Sequence, residues 1–351
     1  MSWSPRLPRA AAALAAVAGL AVVAVPAAAA TRDLPLDGPL AAVPAHVPDR
    51  VISKVTVAGA ARAPSTARTH SYRTSDGQQV EVAVSSAYPV DDAADRALVE
   101  FLATRVHGPE LGALRLYVGR PAEVSSLCGG GRVVACYATD EARMYVPGED
   151  TPEVPMGYVI THEYGHHIAS WRRNDPWDAL DWGPKYWSSS VGVCAGVARH
   201  QLFPGNQGRH YFDDPGEGFA DGYAHMHYPS ESWRYNRLLR PDAAVFDAIR
   251  RDVSAPWSGP RTKVLEARRA GHLRVRLALD GDVTVHVSGR PGARFKFQLR
   301  SADWAIGRKL KPGGRLGIQW CRKTPSDATL HFSVRRVAGS GPVRLTVRYP
   351  G

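Results

Sequence analysis

The sequence predicts an α+β chain, with a mixed helix-and-strand part over residues 51–256 followed by an all-β antiparallel sandwich over residues 257–351. Three observations predict it. Upstream, segments with apolar residues at helical spacing are interleaved with short strand-like runs. Downstream of Pro256-Trp257-Ser258-Gly259-Pro260, apolar residues alternate with period two in short runs separated by turn residues. The charge splits at the same place. Residues 261–351 carry 20 Lys and Arg against 5 Asp and Glu, a surplus of +15, whereas residues 1–260 carry 24 against 28, a balance of −4. With 351 residues, 44% apolar and 22% charged, the chain has material for about two domains.

Residues 1–30 stand outside the fold. Arg6 and Arg9 precede an apolar run over residues 10–25, Pro26 breaks it, and the alanines at 27–30 offer a cleavage site before Thr31. This is the pattern of a secretory signal peptide and predicts a secreted, extracellular chain. An uncleaved anchor is the alternative, but the run is short and Ala-rich for a membrane span, and no other stretch is long and apolar enough to be one. Export makes the four cysteines disulfide candidates. Cys128 and Cys136 bracket the turn Gly129-Gly130-Gly131, which leaves Cys194 with Cys321; four cysteines allow three connectivities.

Residues 31–50 carry Pro35, Pro39, Pro44 and Pro48 without periodicity and are expected to be an extended leader or a removable pro-segment. Val51, Val55 and Val57 suggest a strand over 50–58. Residues 71–86 form a hairpin turning at Asp76-Gly77, with Val80, Val82 and Val84 on one face. A helix follows over 91–106, with Asp91 or Asp92 as its cap, Ala94, Leu98, Phe101, Leu102 and Val106 at helical spacing, and Gly108 as its stop. Strands are expected at 114–118, 133–137 and 143–146, the last closed by Pro147-Gly148. A helix spans about 153–171. Residues 172–186, with Trp177, Trp182, Asp175, Asp178 and Asp181, are a cleft rim or a packed surface loop, and 187–202 are helical.

The helix at 153–171 contains His162-Glu163-Tyr164-Gly165-His166 between Val159-Ile160 and Ile168. Residues four apart on a helix are separated by about 40° around the axis and about 6 Å along it. His162 and His166 can therefore hold one metal ion, and the Glu163 carboxylate can reach a water beside that ion. The apolar flanks predict a buried helix, where two imidazoles and a carboxylate need partners. His167 lies beyond the ligand face and is expected to be a buried histidine, and Tyr164 a packing residue.

A catalytic zinc takes three protein ligands and keeps one open position. The metzincin pattern is absent, because Ala169 and Arg172 occupy the positions of its Gly and third His. Glu217 and Asp221 have i, i+4 spacing on a second expected helix, with Asp213 or Asp214 as cap and Pro215 in the first turn. Glu217 is the expected third ligand, and Asp221 the acceptor that orients a ligand histidine. His210, Asp213, Asp214, His225 and His227 compete, with His225 next in rank. For an oxyanion donor the candidates are Tyr211, Tyr223, His210 and His225, of which Tyr223 and His225 are carried forward as catalytic candidates beside Glu163.

These two motifs, with the element order helix, strand, hairpin, strand, helix, resemble the zincin metallopeptidases of the gluzincin, thermolysin-like branch over roughly residues 90–230. The resemblance implies a zinc cofactor on His162, His166 and Glu217, Glu163 as general base, and a protein or peptide substrate. It also implies that residues 143–146 form the edge strand that binds an extended peptide.

In the C-terminal part, Leu273, Val275, Leu277 and Leu279 alternate with polar residues. Val283, Val285 and Val287, then Phe295, Phe297 and Leu299, Leu330, Phe332 and Val334, and Val343, Leu345 and Val347 repeat the pattern. The segment resembles the β-sandwich modules of pre-peptidase C-terminal type. Its basic surplus suits an anionic cell-wall or surface polymer, or is a solvated outer face. No nucleic-acid partner is expected, and no membrane span after signal cleavage. The expected function is a secreted zinc endopeptidase. The rivals are a cell-surface or matrix binding protein with a structural or decayed metal site, and a zinc hydrolase of non-peptide amides.

Overall fold

A computed structural model describes residues 34, 36, 46–55, 66–152, 154–229, 232–322 and 328–351. The expected signal peptide and most of the expected leader lie outside these residues.

Strand β1 (Asp49–Ile52) is followed by the hairpin β2 (Thr66–Arg73) and β3 (Gln79–Ser85). The hairpin turns at Asp76-Gly77, where Gly77 takes the left-handed φ of 94° that favours glycine. Helix α1 (Asp92–Ala103) starts at Asp91, whose carboxylate accepts the Ala94 N–H at 3.0 Å. Then come β4 (Arg115–Gly119), α2 (Pro121–Leu127), β5 (Ala135–Ala138) and β6 (Arg143–Pro147). Helix α2 is an addition to the expected order.

The six strands form one mixed sheet in the order β1-β5-β6-β4-β3-β2. Side chains alternate across it. Leu116, Val118, Tyr137, Met144 and Val146 enter the main core, while Tyr117, Cys136, Ala138 and Tyr145 pack on the opposite face with Val124 of α2. The disulfide Cys128–Cys136 fastens the end of α2 to that second face.

One expectation about the sheet is corrected. Residues 143–146 do not form an edge strand, because β6 lies between β4, parallel to it, and β5, antiparallel to it. The tight connection through residues 139–142 folds β5 back onto β6, and β1 then adds outside β5 in parallel register, Asp49 opposite Ala135. On this side the edge belongs to β1.

Helix α3 (Met156–Ser170) packs against β5 and β6 and is buried almost throughout. It is followed by α4 (Ala179–Trp182), α5 (Lys185–Val191), α6 (Val193–Ala198), α7 (Pro215–His227) and α8 (Ala243–Ser254). The single helix expected over 187–202 is instead α5 and α6, broken at Gly192 with φ 74°. Helix α8 is a second addition. Its Asp242 accepts the Val245 N–H at 2.9 Å, and Val245, Ile249 and Val253 face the core.

The remaining strands are β7 (Arg261–Ala267), β8 (Ala270–Leu277), β9 (Gly281–Gly289), β10 (Arg294–Arg300), β11 (Ala305–Leu310), β12 (Arg315–Trp320), β13 (Ala328–Ala338) and β14 (Val343–Tyr349). They form two antiparallel four-stranded sheets, β11-β10-β13-β8 and β12-β9-β14-β7. Val275, Phe295, Phe297 and Phe332 of one sheet meet Val283, Val285, Leu345 and Val347 of the other in a single core. Arg274, Arg276, Arg294, Lys296 and Arg300 alternate with these core residues and are exposed.

The sandwich is tied to the helical part by the disulfide Cys194–Cys321. Beside it, the buried Lys185 amine donates to the carbonyls of Asp175 at 2.7 Å and Asp280 at 3.0 Å.

Candidate metal centre

Helices α3 and α7 cross in close contact, and the glycine inside the histidine motif permits it. A β-carbon on Gly165 would stand 2.8 Å from Ala220 Cα of α7. Helix α7 is started by Asp214, whose carboxylate accepts the Gly216 N–H at 2.9 Å, with Pro215 in the first turn. Glu217 then lies in the first turn of α7, directed at the histidine face of α3.

Four side chains meet there: His162 and His166 from α3, Glu217 from α7, and Asp49 from the first residue of β1. His162 Nε2 lies 3.4 Å from Asp49 Oδ2 and 3.6 Å from Glu217 Oε2. His166 Nε2 lies 3.1 Å and 3.4 Å from the same two oxygens. All four donors are mutually within 4.8 Å. Donors bound at about 2.0–2.1 Å in a tetrahedron stand about 3.3–3.4 Å apart along its edges. The four spacings are therefore those of a shell around one small cation.

Hydrogen bonding supports the same fit. His162 Nε2 and both Glu217 carboxylate oxygens are buried without a hydrogen-bond partner. Such groups are costly unless something compensates them, and a divalent cation does so for the whole set at once. Burial alone would lower the His166 imidazole, but the Glu217 and Asp49 carboxylates outweigh it and hold it up at about 10. His162 is likewise raised well above its ordinary value against the effect of burial, by Asp49, Asp221 and Glu217. Burial acts upward on Asp49, yet the two histidines hold its carboxyl well below the usual range.

Glu163 follows the first histidine and is fully buried, with both carboxylate oxygens free of hydrogen bonds. Burial first, then the negative charge of Asp49, raises it well above the usual carboxylate range, and the two imidazoles oppose the shift. A carboxyl group tuned in this direction holds a proton more readily than an ordinary carboxylate.

Around this set, Asp221 Oδ1 stands 3.4 Å from His162 Nδ1 and accepts from the Tyr158 hydroxyl at 3.0 Å. Asp221 thus stands beside the outer nitrogen of His162, where a ligand-orienting acceptor was expected, but that nitrogen makes no hydrogen bond. The Tyr211 hydroxyl donates to Asp49 and to the Val47 carbonyl, and Tyr235 donates to the Tyr211 oxygen at 3.4 Å.

Two catalytic candidates are corrected. The Tyr223 hydroxyl donates to the Val106 carbonyl at 2.6 Å and does not join the cluster. Six residues after Glu217, it lies about 120° around the helix axis. His225 is eight residues on, about 12 Å along the axis. Its nitrogens are engaged, Nδ1 with the Tyr158 oxygen and Nε2 with the Ser232 carbonyl, both at 2.8 Å. Of the four tyrosine and histidine candidates, Tyr211 is the one whose hydroxyl lies beside the donors, at Asp49.

The rival ligands have other occupations. His210 stacks on Phe203, Asp213 accepts from Asn236, Asp214 caps α7, and His227 stands against the Val106 N–H. His167 meets the Tyr137 hydroxyl and the Glu110 carbonyl.

Asp49 had no signal in the sequence and fell within the expected leader at 31–50, just before the strand expected from residue 50. It lies 117 residues before His166, and nothing in its spacing marks a lone carboxylate as a donor.

No protein-family model matches the chain, and no curated protein matches it. Among solved structures, the chain is similar to a Yersinia pseudotuberculosis-derived mitogen, with 6% identity, 26% of this chain and 86% of that one covered, and a TM-score of 0.21. It is also similar to a de novo designed double-stranded β-helix, with 11% identity, 25% and 96% covered, and a TM-score of 0.18. A third similarity is to a carbohydrate-binding module of the β-sandwich superfamily, with 10% identity, 24% and 54% covered, and a TM-score of 0.14.

Proposed function

We propose that the chain is a secreted zinc-dependent endopeptidase of zincin type, with the ligand set of the gluzincin branch. The observation that carries this reading is the shell of donors at tetrahedral spacing with the partnerless Glu163 carboxylate next to it. His162, His166 and Glu217 would hold the zinc. The ion supplies Lewis acidity when bound, acidifying a water and polarising a peptide carbonyl. Glu163 takes the proton from that water on a carboxylate oxygen and returns it to the leaving amine nitrogen. Asp221, itself held by Tyr158, keeps His162 in the tautomer that presents Nε2. Tyr211, whose hydroxyl donates to Asp49 and the Val47 carbonyl, would serve as the oxyanion donor once those partners move away. The two disulfides fit an oxidising compartment, and among the described residues no helix is long and apolar enough to cross a membrane.

The test is metal content together with hydrolysis of casein. The expected result is about one zinc per chain. Turnover should fall about 10²-fold or more in Glu163→Gln with the zinc retained. Equal turnover in the variant, or a chain that retains no zinc, overturns the reading.

One observation favours a second reading. Four buried protein donors describe a structural zinc, which needs no base. In that case Glu163→Gln changes nothing and chelation unfolds the chain.

A further inference from the structure

We infer that the N-terminal segment ending in β1 is an internal latch on this site, with Asp49 as a displaceable fourth ligand and β1 on the peptide-binding edge. The inference rests on the zinc peptidase reading and adds its regulation.

The first argument is coordination. A hydrolytic centre needs one position free for water, yet the position completed by His162, His166 and Glu217 is taken by Asp49 Oδ2, 3.4 Å and 3.1 Å from the two imidazole nitrogens. All four donors are buried, Asp49 being 4% exposed, and Asp49 takes the position that a water would need.

The second argument is the strand. An extended peptide binds a sheet by adding to its edge. The edge nearest the donors would be β5, and β1 covers it with Asp49 opposite Ala135 and Ile52 opposite Ala138. One short segment thus fills both places a substrate would need, the sheet edge with its backbone and the metal with its first side chain.

The third argument is how the segment is held. Leu36 is buried, and its carbonyl accepts from Tyr228 at 3.2 Å, just beyond the end of α7. Val47 is buried with its carbonyl on Tyr211, the Pro48 carbonyl accepts the Val134 N–H at 2.8 Å, and the Val51 N–H donates to Gln207. These ties come from surface loops, helix ends and the sheet edge. Leu36 and Val47 also reach the main core, while the close contact of α3 with α7 at Gly165 and Ala220 is made without the segment. His46 and Pro48 also border a groove of about 990 Å³, lined further by Arg132, Thr151, Val154 and Arg234, that runs beside the segment. A groove of that size has room for a peptide once the segment is displaced.

The test uses the full chain loaded with Co²⁺, as wild type and as Asp49→Ala. In the wild type four protein donors fill the shell, so added azide leaves the visible spectrum unchanged. Asp49→Ala should open one position, so that azide shifts the spectrum and metal affinity in chelator competition falls about tenfold or more. With zinc, casein hydrolysis should rise at least about tenfold, the factor for a site open no more than about a tenth of the time. Asp49→Asn, which keeps the side-chain volume, serves if the alanine variant does not fold. An azide-silent spectrum identical to wild type would remove Asp49 from the shell and overturn the latch. Loss of both metal and hydrolysis below the wild-type level would make Asp49 a permanent ligand, and overturns it equally. An azide-sensitive variant that cleaves no peptide is what a four-ligand structural zinc gives, and it sinks the peptidase reading and the latch together, whereas an azide-silent variant with wild-type hydrolysis sinks the latch alone.

Discussion

Zinc should stabilise this fold measurably, and Glu217 should be necessary for it. Four buried donors spaced 3.1–3.6 Å apart across their nitrogen–oxygen edges exist together only in the folded chain, since they come from β1, α3 and α7. Binding to the folded state alone adds about 2.7 kcal/mol at a free zinc concentration of 100 Kd. For a domain of this size each kcal/mol moves Tm by about 2–4 °C, so the shift is about 5–11 °C. Glu217→Gln keeps the side-chain volume but removes the anionic donor. If affinity weakens about 100-fold, the same zinc adds only about 0.4 kcal/mol. The shift then shrinks to about 1–2 °C. Differential scanning fluorimetry with zinc buffered by a chelator measures both. Equal shifts in wild type and variant, or none in the wild type, would show that these donors do not act together on a cation.

Asp221→Asn should weaken zinc about 10- to 100-fold in chelator competition with the fold intact, because His162 Nδ1 loses the carboxylate that stands 3.4 Å from it; unchanged affinity would deny Asp221 that role. Replacing Cys194 and Cys321 by serine frees a loop of 127 residues and should cost up to about 5 kcal/mol in urea unfolding, against about 2.5 kcal/mol for the pair Cys128 and Cys136, eight residues apart; the reverse order would contradict loop-entropy control. Burial lowers the Lys185 amine to about 8 from its ordinary 10.5. The folded chain therefore binds fewer protons than the unfolded one between these values, and the residue's contribution to stability rises with pH across that window. The stability difference between wild type and Lys185→Met should move in favour of wild type from pH 7.5 to 10, and a pH-independent difference would refute the burial account.

The residues that could be read in advance are those held by local geometry. His162, Glu163 and His166 lie on one helix, and helical periodicity alone puts the two imidazoles on one face. The same rule pairs Glu217 with Asp221. The sandwich core was equally legible, since period-two alternation assigns a side to each residue before any partner strand is known. Both disulfides join the expected cysteines.

What depended on the folded chain concerns which surfaces meet. Tyr223 and His225 were plausible by proximity in sequence, but the rotation of α7 against α3 sends one toward Val106 and leaves the other two turns beyond the donors. The order of strands in a sheet is a long-range matter, so residues 143–146 could look like an edge while β5 and β1 lay outside them. Asp49 is the clearest instance. A single carboxylate on a four-residue strand has no periodicity to reveal it, and it joins the donor cluster only because β1 adds beside β5 and brings it to His162 and His166. Short-range spacing defines the chemistry that a helix can carry, whereas the closing of its coordination shell depends on contacts between segments far apart in the chain.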